Sequence, residues 1–342
     1  ALVVLCFALF TYVAISSMTR ASDDKSLSAL SMQTDQVLQM MRVYDSSLRQ
    51  TTELASSVLV ARFPDEFSLD ATTTVSVGGV DTPALRSGDK VLNNDFTVVD
   101  EFTRETGVAA TVFARKGDDF VRVTTSLKKQ DGTRGVGTAL DHQHPAYGKL
   151  LAGETFTGKA KLFGKDYMTR YVPVRDAAGR VLGALFIGSD FTEGLKELAA
   201  SVRALRTGET GYFYVLDAAP GAAQGTLVIH PAKEGTNILD ARDSDGREFI
   251  KEIVQNKKGV IRYPWLNKEL GEKAAREKIV VYGHFEPWDW VVGGGSYAEE
   301  FSRASVQLRN KLVACAIGAV LLLSALLYWA ARRLVSAPLK QA

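Results

Sequence analysis

Cysteine is almost absent: the 342 residues contain two, Cys6 and Cys315, and each lies within a long apolar run near one end of the chain. The stretch between them has none, so no disulfide braces it, and it runs no risk of mispairing in an oxidising compartment. Histidine is scarce too, with four in all: His142, His144, His230 and His284. His142 and His144 alternate in a Gly- and Pro-flanked loop with only Asp141 close by, which is too few ligands for a zinc site; they read as a solvated loop, and no metal is expected. Catalytic signatures are missing. There is no Gly-x-Ser-x-Gly elbow and no Gly-x4-Gly-Lys phosphate loop. The GGGS run at 293–296 lacks the Lys that would follow in such a loop and reads as a strand bending at glycines before a helix. No enzyme and no cofactor are predicted. Excess charge of one sign is lacking as well: 41 basic and 39 acidic residues leave +2, which argues neither for nucleic acid nor for a polyanionic partner.

What the chain does have is long apolar runs at both ends. Residues 1–18 and 312–331 each carry no charge, and each is about the 17 to 25 residues a helix needs to cross a bilayer. The first could instead be a secretory signal, since Ala14-Ile15-Ser16 is a small-x-small triplet. The expectation is a two-pass membrane protein with residues 19–311 on the far side of the membrane, because so long a segment between two spans is the part that is translocated.

Behind the first run, Leu27, Leu30, Val37, Met41, Tyr44, Leu48, Ala55 and Val58 follow a 3-4 alternation broken only by Thr34 and Thr51. This is a heptad seam on a long helix at 19–62, either packed on its own domain or pairing two copies in a homodimer. Phe63-Pro64 stops it. Strand and turn patterns then alternate up to a linking helix at 192–207, where Leu195, Leu198, Val202 and Leu205 share a face, and resume afterwards. YVPVRDAAGRVLGALFIGSDF at 171–191 and WDWVVGGGSYAEEF at 288–301 both run an apolar strand through glycine into an acidic helix start. The pair reads as an internal duplication.

The stretches ATVFARKGDDFVRVTTS, GTALDHQHPAYGKLLAGETFTGKAKLFGKDYMTRYVPVRDAAGRVLGALFIG and TGETGYFYVLD, followed by LVIHP and KIVVYGHFEPWDWVVGGGSY, resemble the double Cache sensor region of bacterial methyl-accepting chemotaxis proteins, a type-3 Cache module fused to a type-2 one. The resemblance covers roughly residues 21–304. It implies an α+β fold: a long N-terminal helix and two PAS-like antiparallel-sheet modules between two transmembrane helices, with a membrane-distal module at 63–191 and a membrane-proximal one at 208–304. Residues 332–342, with Pro338, resemble the start of a HAMP linker, so the downstream HAMP and signalling domain are expected beyond this chain.

A pocket for a small anion needs inward cationic donors and hydroxyls within apolar walls. In the first module, alternation groups Arg122 with Thr124, and Tyr167 with Thr169 and Tyr171; Tyr147 completes this candidate set, in which Arg122 clamps the anion. The same residues could instead form the wet face of the sheet. Related citrate-binding modules carry an Arg and a His three positions apart, whereas here Thr125 stands in the place of the His, a departure that tells against tricarboxylates. A second, lesser set comprises Tyr212, His230, Tyr263, Trp265, Lys278 and Tyr282, together with Tyr214, while Trp288 and Trp290 plug the core. The function the resemblance implies is a non-enzymatic chemoreceptor sensor region of the bacterial inner membrane, with residues 19–311 in the periplasm, that binds a small metabolite, a carboxylate by the charge pattern of the site, and signals through the second span. The alternative output is a histidine kinase or nucleotide cyclase.

Overall fold

Two sheets carry the same strand order, which makes the duplication visible. The computed structural model of the chain describes residues 2–266 and 273–331. It divides into two compact units, one of residues 39–200 and the other of residues 1–38 with 201–342.

In the first unit β1 (Phe67–Val77), β2 (Val80–Ser87) and β3 (Lys90–Val91) form an antiparallel meander. Helix α2 (Thr97–Thr106) follows. Asp95 accepts hydrogen bonds from the Thr97 amide and hydroxyl at its start, and Gly107 closes it in a left-handed turn at φ 73°. The main sheet combines β4 (Ala109–Lys116), β5 (Asp119–Thr125), β6 (Phe156–Leu162), β7 (Lys165–Arg175) and β8 (Val181–Asp190) in the order β5-β4-β8-β7-β6, with α3 (Pro145–Leu151) between β5 and β6. One face buries Val112, Leu185 and Ile187 with Phe102 of α2; the other buries Phe113, Tyr171 and Phe186 with Leu150 of α3. The Asp176–Gly179 reversal forms as its sequence predicts, the Asp176 carboxylate accepting the amides of Ala178 and Arg180 and Gly179 taking φ 81°.

Helix α4 (Thr192–Ala204) ends earlier than predicted, because Arg206–Thr207 pairs as β9 beside the next strand. The second unit arranges β10 (Gly211–Asp217), β11 (Leu227–Ile229), β12 (Gly259–Trp265), β13 (Arg276–Phe285) and β14 (Trp290–Tyr297) as β11-β10-β14-β13-β12, with α5 (Phe249–Asn256) before β12. Numbered within each module, both orders read 2-1-5-4-3. The last strand is therefore central, and it feeds a helix: α4 in the first case, α6 (Ala298–Ala331) in the second. Trp288 and Trp290 are buried against each other, as expected.

Helix α1 (Leu2–Val60) is continuous, but most of its heptad face is occupied within the chain, Val58 at the far end of the seam being 46% exposed. Leu30, Val37, Met41 and Ala55 are buried, the Tyr44 ring meets Phe191 edge-on at 6.3 Å, and Thr52 donates to Ser189 at 3.0 Å. The alternation thus records packing on the chain's own sheets. The residues it leaves outside include Val43 and Leu54, 60% and 63% exposed. Among the described residues one window, Arg309–Leu326 in α6, is long and apolar enough to cross a bilayer. The backbone of the first predicted span is helical, but most of its side chains, like the whole of 332–342, lie outside the described residues.

Candidate ligand-binding site

Three consecutive glycines make room for the site in the second module. In β14, Gly295, Gly294 and Gly293 pair with Tyr212, Phe213 and Tyr214 of β10. A Cβ on Gly293 would lie 2.4 Å from the Tyr214 ring, and one on Gly294 2.3 Å from Phe213. The run that could have suggested a phosphate loop is a bare strip over which aromatic rings lie flat. Tyr212 and Tyr214, on one face, wall a cavity of ≈ 50 Å³ together with His230, Phe249, Tyr263, Trp265 and Lys278, while Phe213 lies on the other face. Since about 10–15 Å³ on this measure holds one water, there is space for a ligand of a few heavy atoms.

Lys278 is the cavity's buried cation, and a half-buried Lys233 also lines it. Lys278 is 2% exposed, its Nζ stands 3.9 Å from the centroid of the Tyr212 ring, and no carboxylate among the described residues pairs with it. An ammonium taken out of water without a counter-ion is costly, and the Tyr212 face offsets only part of that cost. Opposite it across the β12–β13 ladder is Tyr263, stacked on Phe249 at 4.1 Å. Burial first, then neighbouring phenols, push the Tyr214 and Tyr263 hydroxyls well above the ordinary tyrosine range, so both remain neutral donors. His230 follows β11 and precedes Pro231; its Nδ1 accepts the amides of Ala232 and Lys233, both at 2.9 Å, which leaves the ring proton on Nε2. The site therefore offers a buried cation with a second lysine, Lys233, on its lining, hydroxyl donors and apolar walls, the complement of a small carboxylate.

Of the second predicted set, Tyr212, His230, Tyr263, Trp265 and Lys278 line the cavity. Tyr282 does not: it lies further along β13, in the same core, with its hydroxyl over Gly259. Phe249, Ile250, Leu227 and Ile238 were missed because nothing but burial distinguishes them from core.

In the first module Arg122 is 5% exposed and stands 4.9 Å from the centroid of the Phe113 ring; its NH1 donates to Thr138 Oγ1 at 2.6 Å. Thr124 does not join it. The register slips so that Val112 faces Thr124 while Phe113 faces Arg122, leaving Val123 as an extra residue. That bulge turns Thr124 to the opposite face, where it donates to the Asp95 carbonyl at 2.7 Å. Thr169 is buried on the Arg122 side but donates to the Gly158 carbonyl. Tyr171 is fully buried, its hydroxyl pushed up to about 12 by burial against the opposing pull of Arg122. Tyr167 belongs to the same core cluster and lines a broad, open depression, and Tyr147 stacks on His142 with its hydroxyl on the Asp118 carbonyl. The paired histidines part company. His142 is exposed, as read from the sequence, whereas His144 is partly buried, its ring 5.5 Å from those of Phe156 and Tyr171. Among the described residues no cluster of three or more His, Cys, Asp or Glu could hold a metal.

Two sheets of one topology, each delivering its central strand to a helix and one of them lining a cavity with a buried cation that no carboxylate among the described residues pairs with, define a paired PAS-like sensor architecture. The chain belongs to the Cache 3/Cache 2 fusion domain family, whose model matches residues 16–311. It is 33% identical over 119 residues to the sensor histidine kinase MctS of Rhizobium johnstonii, and 30% identical over 212 residues to the methyl-accepting chemotaxis protein McpP of Pseudomonas putida. Those matches take in 33% and 57% of this chain and 24% and 35% of the relatives, so the shared region is about a third of their length or less. Among solved structures, the ligand-binding domain of the Campylobacter jejuni chemoreceptor Tlp3 with L-valine aligns over 83% of this chain and 98% of its own at 9% identity, TM-score 0.47.

Proposed function

We propose that the chain is the ligand-sensing region of a membrane chemoreceptor and that its second module binds a small carboxylate in the Lys278 cavity. The observation that carries this reading is the buried ammonium without a counter-ion inside a wall of tyrosines. The sequence ranked the first module above the second; the cavity beside Lys278 is what supports the second. Residues 19–311 face the periplasm between two spans, and two copies pair along α1. Binding biases one arrangement of the β13–β14 ladder, which α6 carries toward the membrane; a tenfold preference for one arrangement corresponds to about 1.4 kcal/mol. A histidine-kinase output would use the same sensor.

Isothermal titration of the full chain in detergent with sodium acetate, pyruvate and lactate tests the site. Lys278→Met removes the buried charge, so binding in this module falls at least a hundredfold, while the empty protein melts no lower than wild type because an uncompensated buried charge has been removed. Unchanged carboxylate affinity in Lys278→Met would refute the assignment.

A further inference from the structure

The sequence His-Pro-Ala occurs in each module, at 144–146 and at 230–232. The structure gives both copies the same task. His144 stands in an extended conformation at the start of α3, where its Nδ1 accepts the Ala146 amide at 3.1 Å. His230 follows β11, and its Nδ1 accepts the amides of Ala232 and Lys233, both at 2.9 Å. Asn, Asp, Ser and Thr are the usual residues for such a cap, and none of them titrates between pH 5 and 8. Both modules use instead the one side chain whose unperturbed titration falls in that interval.

We propose that the two histidines are acid-sensitive fasteners: protonation at Nδ1 breaks each cap and releases the segment behind it. An imidazole nitrogen accepts a hydrogen bond only while it carries no proton, so these caps exist only in the neutral ring. In the imidazolium an N–H would face one backbone N–H in the first module and two in the second, donor against donor. The surroundings also oppose the charge. His144 is partly buried, its ring 5.5 Å from those of Phe156 on β6 and Tyr171 on β7. Burial pushes it below the ordinary histidine range; Asp141 pulls against this and Arg122 of β5 adds to it. His230 is 8% exposed, with the Tyr212 ring of β10 edge-on at 5.1 Å. The charged residues that share its cavity are both cations, Lys233 in its own turn and Lys278 of β13, while Glu234 pairs with Arg203 of α4. The stabilisation from a base held neutral is complete above the ordinary histidine range and is lost as pH falls from that range through the lowered value. Behind His144 lies α3, whose Ala146 and Leu150 are buried in one cluster with Phe113 and Tyr171. Behind His230 come Lys233 and Ile238, which line the cavity beside Lys278. Acid therefore loosens one packed segment in each module, whatever the cavity binds.

Hydrogen exchange of the full chain in detergent tests this, read by mass spectrometry from pH 8 to pH 5 and expressed as protection relative to the free peptide at each pH. Peptides spanning 144–151 and 230–238 should lose protection at least tenfold over that interval, while β10 and β13 keep theirs. In His144→Asn and His230→Asn the side-chain carbonyl takes over the amides without titrating, so the corresponding profile should be flat. Wild-type protection that stays constant from pH 8 to pH 5 overturns the proposal. A loss that the Asn variants share also overturns it, because the proton would then act elsewhere, as at His142 beside Asp119 or His284 beside Asp289.

Discussion

Gly293 and Lys278 depend on each other without touching. The glycine has no Cβ so that Tyr214 can lie across β14, and Lys278 reaches into the space which that ring and Tyr212 enclose. A methyl at position 293 would sit 2.4 Å from the ring, closer than packed atoms approach. Gly293→Ala therefore forces the tyrosine toward the cavity, at a cost of about 1–3 kcal/mol in thermal or urea unfolding, with carboxylate binding to the second module lost in parallel. A variant that melts and binds like wild type would show that the ring has another place to go. Lys278 was legible as a candidate because a basic residue interrupts an apolar strand. Thr124 was misread for a reason internal to strands: alternation assigns faces only while the register holds, and one extra residue at Val123 reverses every later assignment.

At the scale of elements, the join between sheet and exit helix rests on Glu300. This residue of the first turn of α6 has a side chain 1% exposed; it accepts the Glu209 and Thr210 amides, the Ser296 and Thr210 hydroxyls, and Arg276 NH2 at 2.9 Å. Arg276 in turn lies 3.6 Å from the centroid of the Tyr297 ring, and Tyr297 is the cross-strand partner of Lys278. The start of the helix is thus tied to the strands that wall the cavity. Although burial opposes ionisation, these donors outweigh it and hold the carboxyl down to about 2. A lowered folded pKa means the stabilisation is complete above the ordinary glutamate range and is lost as pH falls through about 2. Glu300→Gln should cost about 2–3 kcal/mol at neutral pH, by leaving Arg276 and two amides poorly met. The gap to wild type should narrow steadily in acid melts below the ordinary glutamate range, and a gap that stays constant there would mean Glu300 contributes shape rather than charge.

For the molecule as a whole, the same helix that suggested a homodimer shows where a second copy can sit. Leu30, Val37 and Met41 are buried within the chain, so the proposed pairing of copies would use the side that carries Val43 and Leu54, three turns apart. With Cys6 and Cys315 replaced, single cysteines at 43 and 54 should crosslink between copies in membranes, and cysteines at 30, 37 and 41 should not. Strong crosslinking at 30, 37 and 41 would return the interface to the heptad face.

Sequence alone determined the class of elements, their order and the duplication, because hydrophobic period, turn residues and the stop at Phe63-Pro64 act over a few neighbouring positions. It also marked the cations and most of the tyrosines, since a charge or hydroxyl within an apolar strand is conspicuous by composition. Only the tertiary structure decided which face each side chain took and what it met. A heptad is the same string whether it packs on a partner or on its own sheet. A glycine run reads alike as a hinge or as a bed for rings, and His144 and His142 differ only in what the fold brings against them. Those outcomes depend on contacts between residues distant in the chain, where packing and desolvation act, and no local pattern encodes them.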